Sequence, residues 1–343
     1  RRNAVRQACR LHLPSTFTIW LTSPLRQMSL LCPSHHISMS AAFFRNALIY
    51  RLSAPWNPDP ATVEDQLARL AFTPGMAQEA QSLGWVPAME GEGLAHRVGK
   101  HWLLTLRAEK KLLPASVINQ FTKTRAAQLE EEQGFRPGRK QMKELKERVT
   151  EELLPKAFSI FRDTRVWIDP EGGWVVVDTT APARADEIIG LLKKSVDDLP
   201  LAPLKLAHSP AQCMTTWLVD NEVPGPFSID DDSELRDTGE SRAAVRYVRQ
   251  SVDADTVQRH LKEGKQCTRL ALTWRDRVSF VLTETCAIKR INALDVVREG
   301  REGLDEGDAR QVFDAEFTLM AGELSGMLTD LLDVLGGEQK AEG

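Results

Sequence analysis

Between Arg139 and Asp178 the spacing of apolar residues switches from helical to alternating. Met142, Leu145, Val149 and Leu153 lie three, four and four residues apart, which places them on one helix face. Thr164 to Ile168 and Trp174 to Asp178 then read as two strands joined by the turn-forming run Asp169-Pro170-Glu171-Gly172-Gly173. Upstream of Met142, Val117, Ile118, Phe121 and Leu129 give a second narrow seam, opened by Pro114 and closed by Gly134-Phe135-Arg136-Pro137-Gly138. Two helices with thin apolar seams and heavily charged remaining faces predict a projecting αα-hairpin with Arg136, Arg139 and Lys140 at its tip. A charged helix face is also what plain solvation produces.

The same reading covers the rest of the chain. Phe43 to Leu52 predicts a strand. Asp59-Pro60 supplies a capping acceptor and a residue whose missing N–H costs nothing at a helix start, and Val63, Leu67 and Leu70 continue that helix. Gly84 to Val86 and Trp102 to Arg107 are extended. Pro182 to Val196 is a helix with Ile188, Ile189, Leu192 and Val196 inward. Leu199 to Leu206 is a linker or short strand, Gln212 to Val219 a strand or short helix, and Asp230-Asp231-Asp232 a loop. Ala243 to Arg249 alternates, Asp255 to Leu261 is a short helix, and Thr268 to Trp274 and Val278 to Thr283 form a hairpin around Arg275-Asp276-Arg277. Cys286 to Asn292 is another strand. Gln311 to Leu319 reads as a strand through Phe313, Ala315, Phe317 and Leu319, and residues 321–335 as a helix through Leu324, Leu328, Leu331 and Leu335. The hairpin-like units around residues 85–107, 164–178 and 268–283 hint at a duplicated sheet without a fixed period. The fold class is α+β with mixed sheets.

Composition changes this picture in one respect. Hydrophobic content of 42% and charged content of 27% are ordinary for a globular chain of 343 residues. No run of eighteen apolar residues exists, so no membrane-spanning helix is expected. Charge, however, is uneven. Residues 1–38 hold five of the 44 basic residues and none of the 48 acidic ones, so the remainder carries a formal charge of −9. An acidic body binds a polyanion only through a concentrated basic surface. The basic, Ser- and Pro-rich opening reads as upstream sequence ahead of a start at Met39, with a targeting peptide as the alternative. Five scattered cysteines without a CxxC fit neither a disulfide framework nor a zinc site, and suit a reducing compartment.

No motif points to chemistry. There is no GxGxxG after a strand, no GxxxxGK[ST] and no GxSxG, and the histidines lack metal-ligand spacing. An enzyme, a metal or a cofactor is therefore not expected. Contact with nucleic-acid phosphates is the alternative, since Lys and Arg give sequence-independent, salt-sensitive affinity. Candidates are Lys110 and Lys111; Lys156, Arg162 and Arg165; Arg246 and Arg249; Arg275 and Arg277; and Lys289 and Arg290. On a regular strand Arg246 and Arg249 would face opposite ways, so they converge only if the strand twists or bulges. No recognition helix or base-reading motif is visible.

Several blocks carry a family resemblance. They are Phe44-Arg45-Asn46-Ala47-Leu48-Ile49-Tyr50-Arg51-Leu52, Leu70-Ala71-Phe72-Thr73-Pro74 and Gly84-Trp85-Val86-Pro87. Further along come Lys110-Lys111-Leu112-Leu113-Pro114, Leu153-Leu154-Pro155-Lys156-Ala157-Phe158, Trp167-Ile168-Asp169 and Leu319-Met320-Ala321-Gly322-Glu323-Leu324. In order and spacing, from Met39 to Gly337, the chain resembles the RdgC family of recombination-associated proteins. The resemblance implies a non-enzymatic nucleoid protein in the cytoplasm, a ring-shaped homodimer with a positively lined hole. It implies binding of double- and single-stranded DNA without sequence preference, and antagonism of the recombinase RecA. It places Phe158 at a dimer contact that acts as a gate; a core phenylalanine is the alternative. The acidic run Glu130-Glu131-Glu132 in the hairpin departs from a DNA-touching tip, and only Arg246 and Arg249 keep charge in a segment that is basic in the family.

The organisation expected is an extension at 1–38, an N-terminal α/β part at 39–113, the helical hairpin at 114–154, a strand pair plus helix at 155–206, a C-terminal α/β part at 207–337 and a disordered tail at 338–343. Two other functions stay open: an interaction scaffold for replication or repair machinery, and, more distantly, a nuclease.

Overall fold

The first alternating stretch forms β1 (Leu48–Leu52), and the Asp59-Pro60 signal opens α1 (Pro60–Ala68), in a computed structural model that describes residues 43–239, 241–299 and 308–339. The Thr62 amide donates to Asp59 at 3.2 Å, and Val63 and Leu67 are buried, as the spacing requires. β2 (Gln81–Val86), β3 (His96–Val98) and the long β4 (His101–Lys111) follow. Next come α2 (Ala115–Gln133) and α3 (Arg139–Leu153), turned by Gly134 at φ 78, where a side chain would be strained. A 3-10 turn at Leu154–Lys156 leads to β5 (Ser159–Asp169), β6 (Trp174–Val177), α4 (Pro182–Ser195) and β7 (Leu201–Pro203). The last part comprises α5 (Pro210–Asp220), β8 (Phe227–Asp237), β9 (Ala244–Tyr247) and α6 (Ala254–Lys262). It ends with β10 (Lys265–Trp274), β11 (Val278–Thr283), β12 (Ile288–Ala293), α7 (Asp295–Glu299) and α8 (Ala309–Val334).

The strands build two antiparallel sheets in a mixed α+β fold. One has the order β2-β4-β5-β6-β1-β7, with β3 also on β4; the other has the order β12-β11-β10-β8-β9. β4 and β5 are neighbours, so the helical hairpin is an insertion between adjacent strands, and residues on both sides of it share one sheet. One core lies between that sheet and α1 and α4, through Leu104, Val166, Val175, Leu67, Ile188 and Leu192. The other joins Leu103, Trp167 and Val176 to Leu270, Phe280 and Leu282 of the second sheet, with Phe317, Leu324 and Leu328 of α8. α8 therefore ties the sheets together, and the described residues fall in one compact unit. No residue of α2 or α3 belongs to either core, and only Thr122 and Val149 in them are buried. Among the described residues no helix is long and apolar enough to cross a membrane.

Two local expectations are corrected, and one that stood open between strand and helix is resolved. Gln311 to Leu319 is not a strand but the first half of α8. Phe313 and Phe317 are four apart, which fits both periods; the buried partners are Glu316 and Met320, not Ala315 and Leu319, and that decides for the helix. Gln212 to Val219 resolves as α5, with Met214, Trp217 and Leu218 inward and Asn221 ending it at φ 51. Asp230-Asp231-Asp232 is not a loop but part of β8. The extension at 1–38 lies outside the described residues. At the other end Glu338 pairs with Arg51 at 2.8 Å, and the Gln339 amide donates to the Lys205 carbonyl; residues 340–343 again lie outside.

Two tests of this packing follow. Gly84 lets residues 70–72 lie against β2, where the Phe72 amide donates to the Trp85 carbonyl and the Trp85 amide to the Leu70 carbonyl. A Cβ at Gly84 would sit 2.3 Å from the Phe72 Cα and 2.7 Å from the Ala71 carbonyl carbon, and backbone cannot swing aside. Gly84→Ala should cost about 2–3 kcal/mol in denaturant unfolding; an unchanged midpoint would contradict the close approach.

His101 is buried in the first sheet, where the Trp167 indole N–H donates to its Nδ1 at 3.4 Å and the Asp169 carboxylate is 3.7 Å away. Burial pushes this imidazole below its ordinary 6.5, against the opposing pull of Asp169. The unfolded chain therefore takes up the proton first. His101 contributes full stability above about pH 6.5, and that contribution falls as pH drops toward the lower folded value. His101→Phe should flatten the loss of stability as pH falls below about 6.5, and parallel curves for the two proteins would refute it.

Candidate nucleic-acid interface

The candidate cations separate by strand register. Residues directly opposite in an antiparallel pair share a face. In the second sheet this aligns Arg246 with Glu234, Glu234 with Arg269, and Arg269 with Thr283. Two residues along, it aligns Ala271 with Val281 and Val281 with Lys289. Leu235, Leu270 and Leu282 point the other way, into the core with α8. Arg246 and Lys289 thus share the sheet face turned away from α8.

Arg249 and Arg290 reach that face through irregular backbone. Ile229 and Ser233 of β8 pair with Leu272 and Leu270, so Asp230, Asp231 and Asp232 together oppose the single residue Ala271. In the last pair, Ile291 and Arg290 oppose the single residue Phe280, with Arg290 at φ 54. Two bulges therefore lie near each other across the sheet. Past the end of β9 the chain folds over the first of them. There the Arg249 amide donates to Asp232 Oδ1 at 2.9 Å and the Gln250 amide to the Asp231 carbonyl at 3.0 Å. Arg249 and Arg290, both exposed, line an open cleft of about 240 Å³ floored by Ala271, Ser279 and Val281.

Charges in the cleft and beside it on the same sheet face are partly engaged. Arg290 donates to Asp232 Oδ2 at 3.3 Å, and Arg236 and Arg269 pair with Glu234 at 2.8 and 3.3 Å. The Arg249 amide, then the charges of Arg290 and Arg246, hold the Asp232 carboxyl below its ordinary range. Asp230 is raised instead, chiefly by burial, and accepts the Thr273 hydroxyl at 3.0 Å. The Asp230 and Asp232 carboxylates are thus engaged separately, and Asp231 contributes its backbone carbonyl. Among the described residues no group of three or more His, Cys, Asp or Glu side chains is arranged to hold a metal ion. Burial pushes the Cys267 and Cys286 thiols up to about 12, which keeps them protonated and poorly nucleophilic at neutral pH.

The remaining candidates do not form one cluster; Lys110, Lys111, Arg162 and Arg165 sit on the first sheet. Lys110 is opposite Ile160 and Arg162 opposite Ala108, so both lie on the face that carries α4. There Arg162 is close enough to Arg184 to lower its pKa, after burial. Lys111 and Arg165 belong to the other face. Arg165 is half-buried, and burial lowers its pKa against the pull of Asp178, Asp163 and Glu316. Asp178 in turn accepts the Arg45 and Asn46 amides. Lys156 is exposed and 3.5 Å from Glu152. Arg275 and Arg277 pair with Asp330 and Glu323, which staples their hairpin to α8.

Phe158 stands just before β5 and is 82% exposed, which excludes the core alternative. Its carbonyl accepts the Leu112 amide at 2.7 Å, so the backbone is fixed while the ring is free. Leu112, Ile160 and Phe161 are exposed beside it in the chain and across the ladder. β6 pairs with β5 only from Val166 to Asp169, so residues 159–164 of β5 are laddered on the β4 side alone.

The described residues thus form an inserted helical hairpin on a two-sheet α+β body, with cations gathered on one open sheet face and an apolar patch on an unpaired strand edge. Comparison with known proteins makes this particular. The RdgC family profile, described as "Putative exonuclease, RdgC", matches residues 42–338. The chain is 56% identical over 298 residues to the recombination-associated protein RdgC of Bordetella parapertussis, covering 87% of this chain and 99% of that protein. It is 55% identical over 299 residues to that of Cupriavidus pinatubonensis, covering 87% and 100%. With that of Herminiimonas arsenicoxydans it is 55% identical over 297 residues, covering 87% and 99%. The chain belongs to the RdgC family.

Sequence reasoning missed Asp232 and Arg269. Reading the acidic run as a loop removed Asp232 from the sheet. Arg269, by contrast, was legible as an outward residue of an alternating strand whose inward positions are Leu270 and Leu272.

Proposed function

We propose that this chain is a sequence-independent DNA-binding protein associated with recombination. It acts as a homodimer that encircles or clamps DNA in the nucleoid and limits access by a RecA-type recombinase. The observation that carries the reading is the convergence of Arg246, Arg249, Lys289 and Arg290 on one open sheet face, in a chain whose body is otherwise acidic. Exposed Lys and Arg side chains on an open sheet face meet phosphates rather than base edges. The relatives' name, recombination-associated protein, supports the biological setting.

The second copy is suggested by Phe158. An exposed aromatic patch beside a one-sided strand edge is a template for pairing with another chain. An identical edge meeting it in antiparallel fashion gives a closed two-fold contact. In the clamp, acidic surface faces outward and the basic face meets DNA. Binding in this account uses no cofactor or metal. The test is titration of unrelated duplex and single-stranded DNA sequences over a salt series. Similar affinities that fall steeply with salt support the reading, whereas preference for one sequence contradicts it.

A further inference from the structure

Asp232 is the place where the basic face is already occupied. One carboxylate oxygen accepts the Arg249 amide at 2.9 Å, and the other accepts an Arg290 guanidinium N–H at 3.3 Å. The two groups come from opposite ends of the sheet, β9 and β12, and meet only because both bulges turn toward the cleft. Two anionic oxygens, one on a backbone N–H and one on a guanidinium, are the arrangement that a phosphodiester takes at an arginine site. The cleft is open beside the carboxylate, so a phosphate has room to enter before the carboxylate leaves. The Arg290 pair is also solvent-exposed, with the arginine side chain 59% accessible, and such pairs exchange easily.

We infer that Asp232 is an internal phosphate mimic, a latch that holds Arg290 and masks its charge until a DNA phosphate displaces the carboxylate. The latch rests on the DNA-binding reading above and adds a regulatory contact to the same face. It lowers non-specific affinity on purpose. A clamp that must be removed from DNA cannot have every cation fully available, and one intramolecular anion at the cleft weakens binding without altering the fold. Asp231, next in the chain, is exposed and gives its carbonyl, not its carboxylate, to the turn. It carries the same charge without the arginine contact and is the natural control.

The experiment compares the full chain with Asp232→Asn and Asp231→Asn, using a labelled duplex of arbitrary sequence over a salt series, with thermal melts to confirm folding. Asn keeps an acceptor for the Arg249 amide; Asp232→Ser, which keeps one too, replaces it should the Asn variant fail to fold. The latch predicts affinity raised about five- to tenfold and a salt slope steeper by about 0.9, the increment for one further phosphate contact. Asp231→Asn should change affinity by about twofold at most, the general effect of one charge on an exposed surface. Arg290→Gln should then cost more in the Asp232→Asn background than in the wild type. Equal gains in the two aspartate variants, or no gain at Asp232, would overturn the latch while leaving DNA binding intact. Absence of binding by the wild type and both variants at low salt would overturn the DNA-binding reading, and the latch with it.

Discussion

Phe158→Ala should lower the affinity of the proposed dimer by about thirtyfold, equivalent to about 2 kcal/mol for an aromatic interface anchor, and leave the thermal stability of the monomer nearly unchanged. The asymmetry follows from position. A side chain 82% exposed contributes little buried area to its own fold, so truncation removes almost nothing from the core. Its backbone carbonyl still holds the Leu112 amide, so the start of β5 stays in register. In a two-fold contact the substitution is made on both partners. DNA retention therefore falls with dimerisation, and sedimentation of the variant and DNA titration should change together. Unchanged dimerisation with unchanged DNA affinity would remove Phe158 from the interface.

Charge reversal at Arg246 and Arg249 has the second large effect. Arg246→Glu with Arg249→Glu should weaken DNA binding by at least about tenfold at physiological salt and reduce the salt slope by roughly two, because each lost phosphate contact returns about 0.9. The loss should be the same for unrelated duplexes, since phosphate contacts carry no sequence information. Both arginines are exposed, so stability should hold. A matched reversal at Arg275 and Arg277 should instead destabilise the protein, because these pair with Asp330 and Glu323 on α8. A sequence-selective loss at Arg246 and Arg249 would contradict backbone recognition.

These two experiments also mark what could be read from the sequence. The hairpin was legible because its seams are narrow and Gly134 and Gly138 bracket its tip. The strand pair around Asp169 to Gly173 was legible because its turn residues are specific. The first half of α8 was not, because Phe313 and Phe317 satisfy strand and helix spacing alike and only their partners across the core decide. The sharing of one sheet by strands on both sides of the hairpin was also hidden, since pairing between β4 and β5 spans the whole insertion.

For the site, periodicity placed Arg246 and Arg249 on opposite sides of one strand. It could not bring Arg249 to the same cleft. That depends on the chain turning over Asp231 and Asp232, a bulge that appears only when three residues of β8 oppose one of β10. Arg165 failed to stand out from the other cations for a related reason: the acids acting on it include Asp178, just past β6 and 13 residues later in the chain, and Glu316 of α8, which its own sequence neighbours do not reveal. Phe158 was recognised through the family block around it, and its exposure is what the fold adds.

Whether a closed dimer holds DNA by phosphate contacts, as proposed, is tested most directly by comparing retention on linear and covalently closed DNA of identical sequence across a salt series. The account predicts steep salt dependence on both forms at equilibrium, and retention after a high-salt wash on the closed form alone, because a ring slides off free ends. Equal retention on the two forms would contradict encirclement.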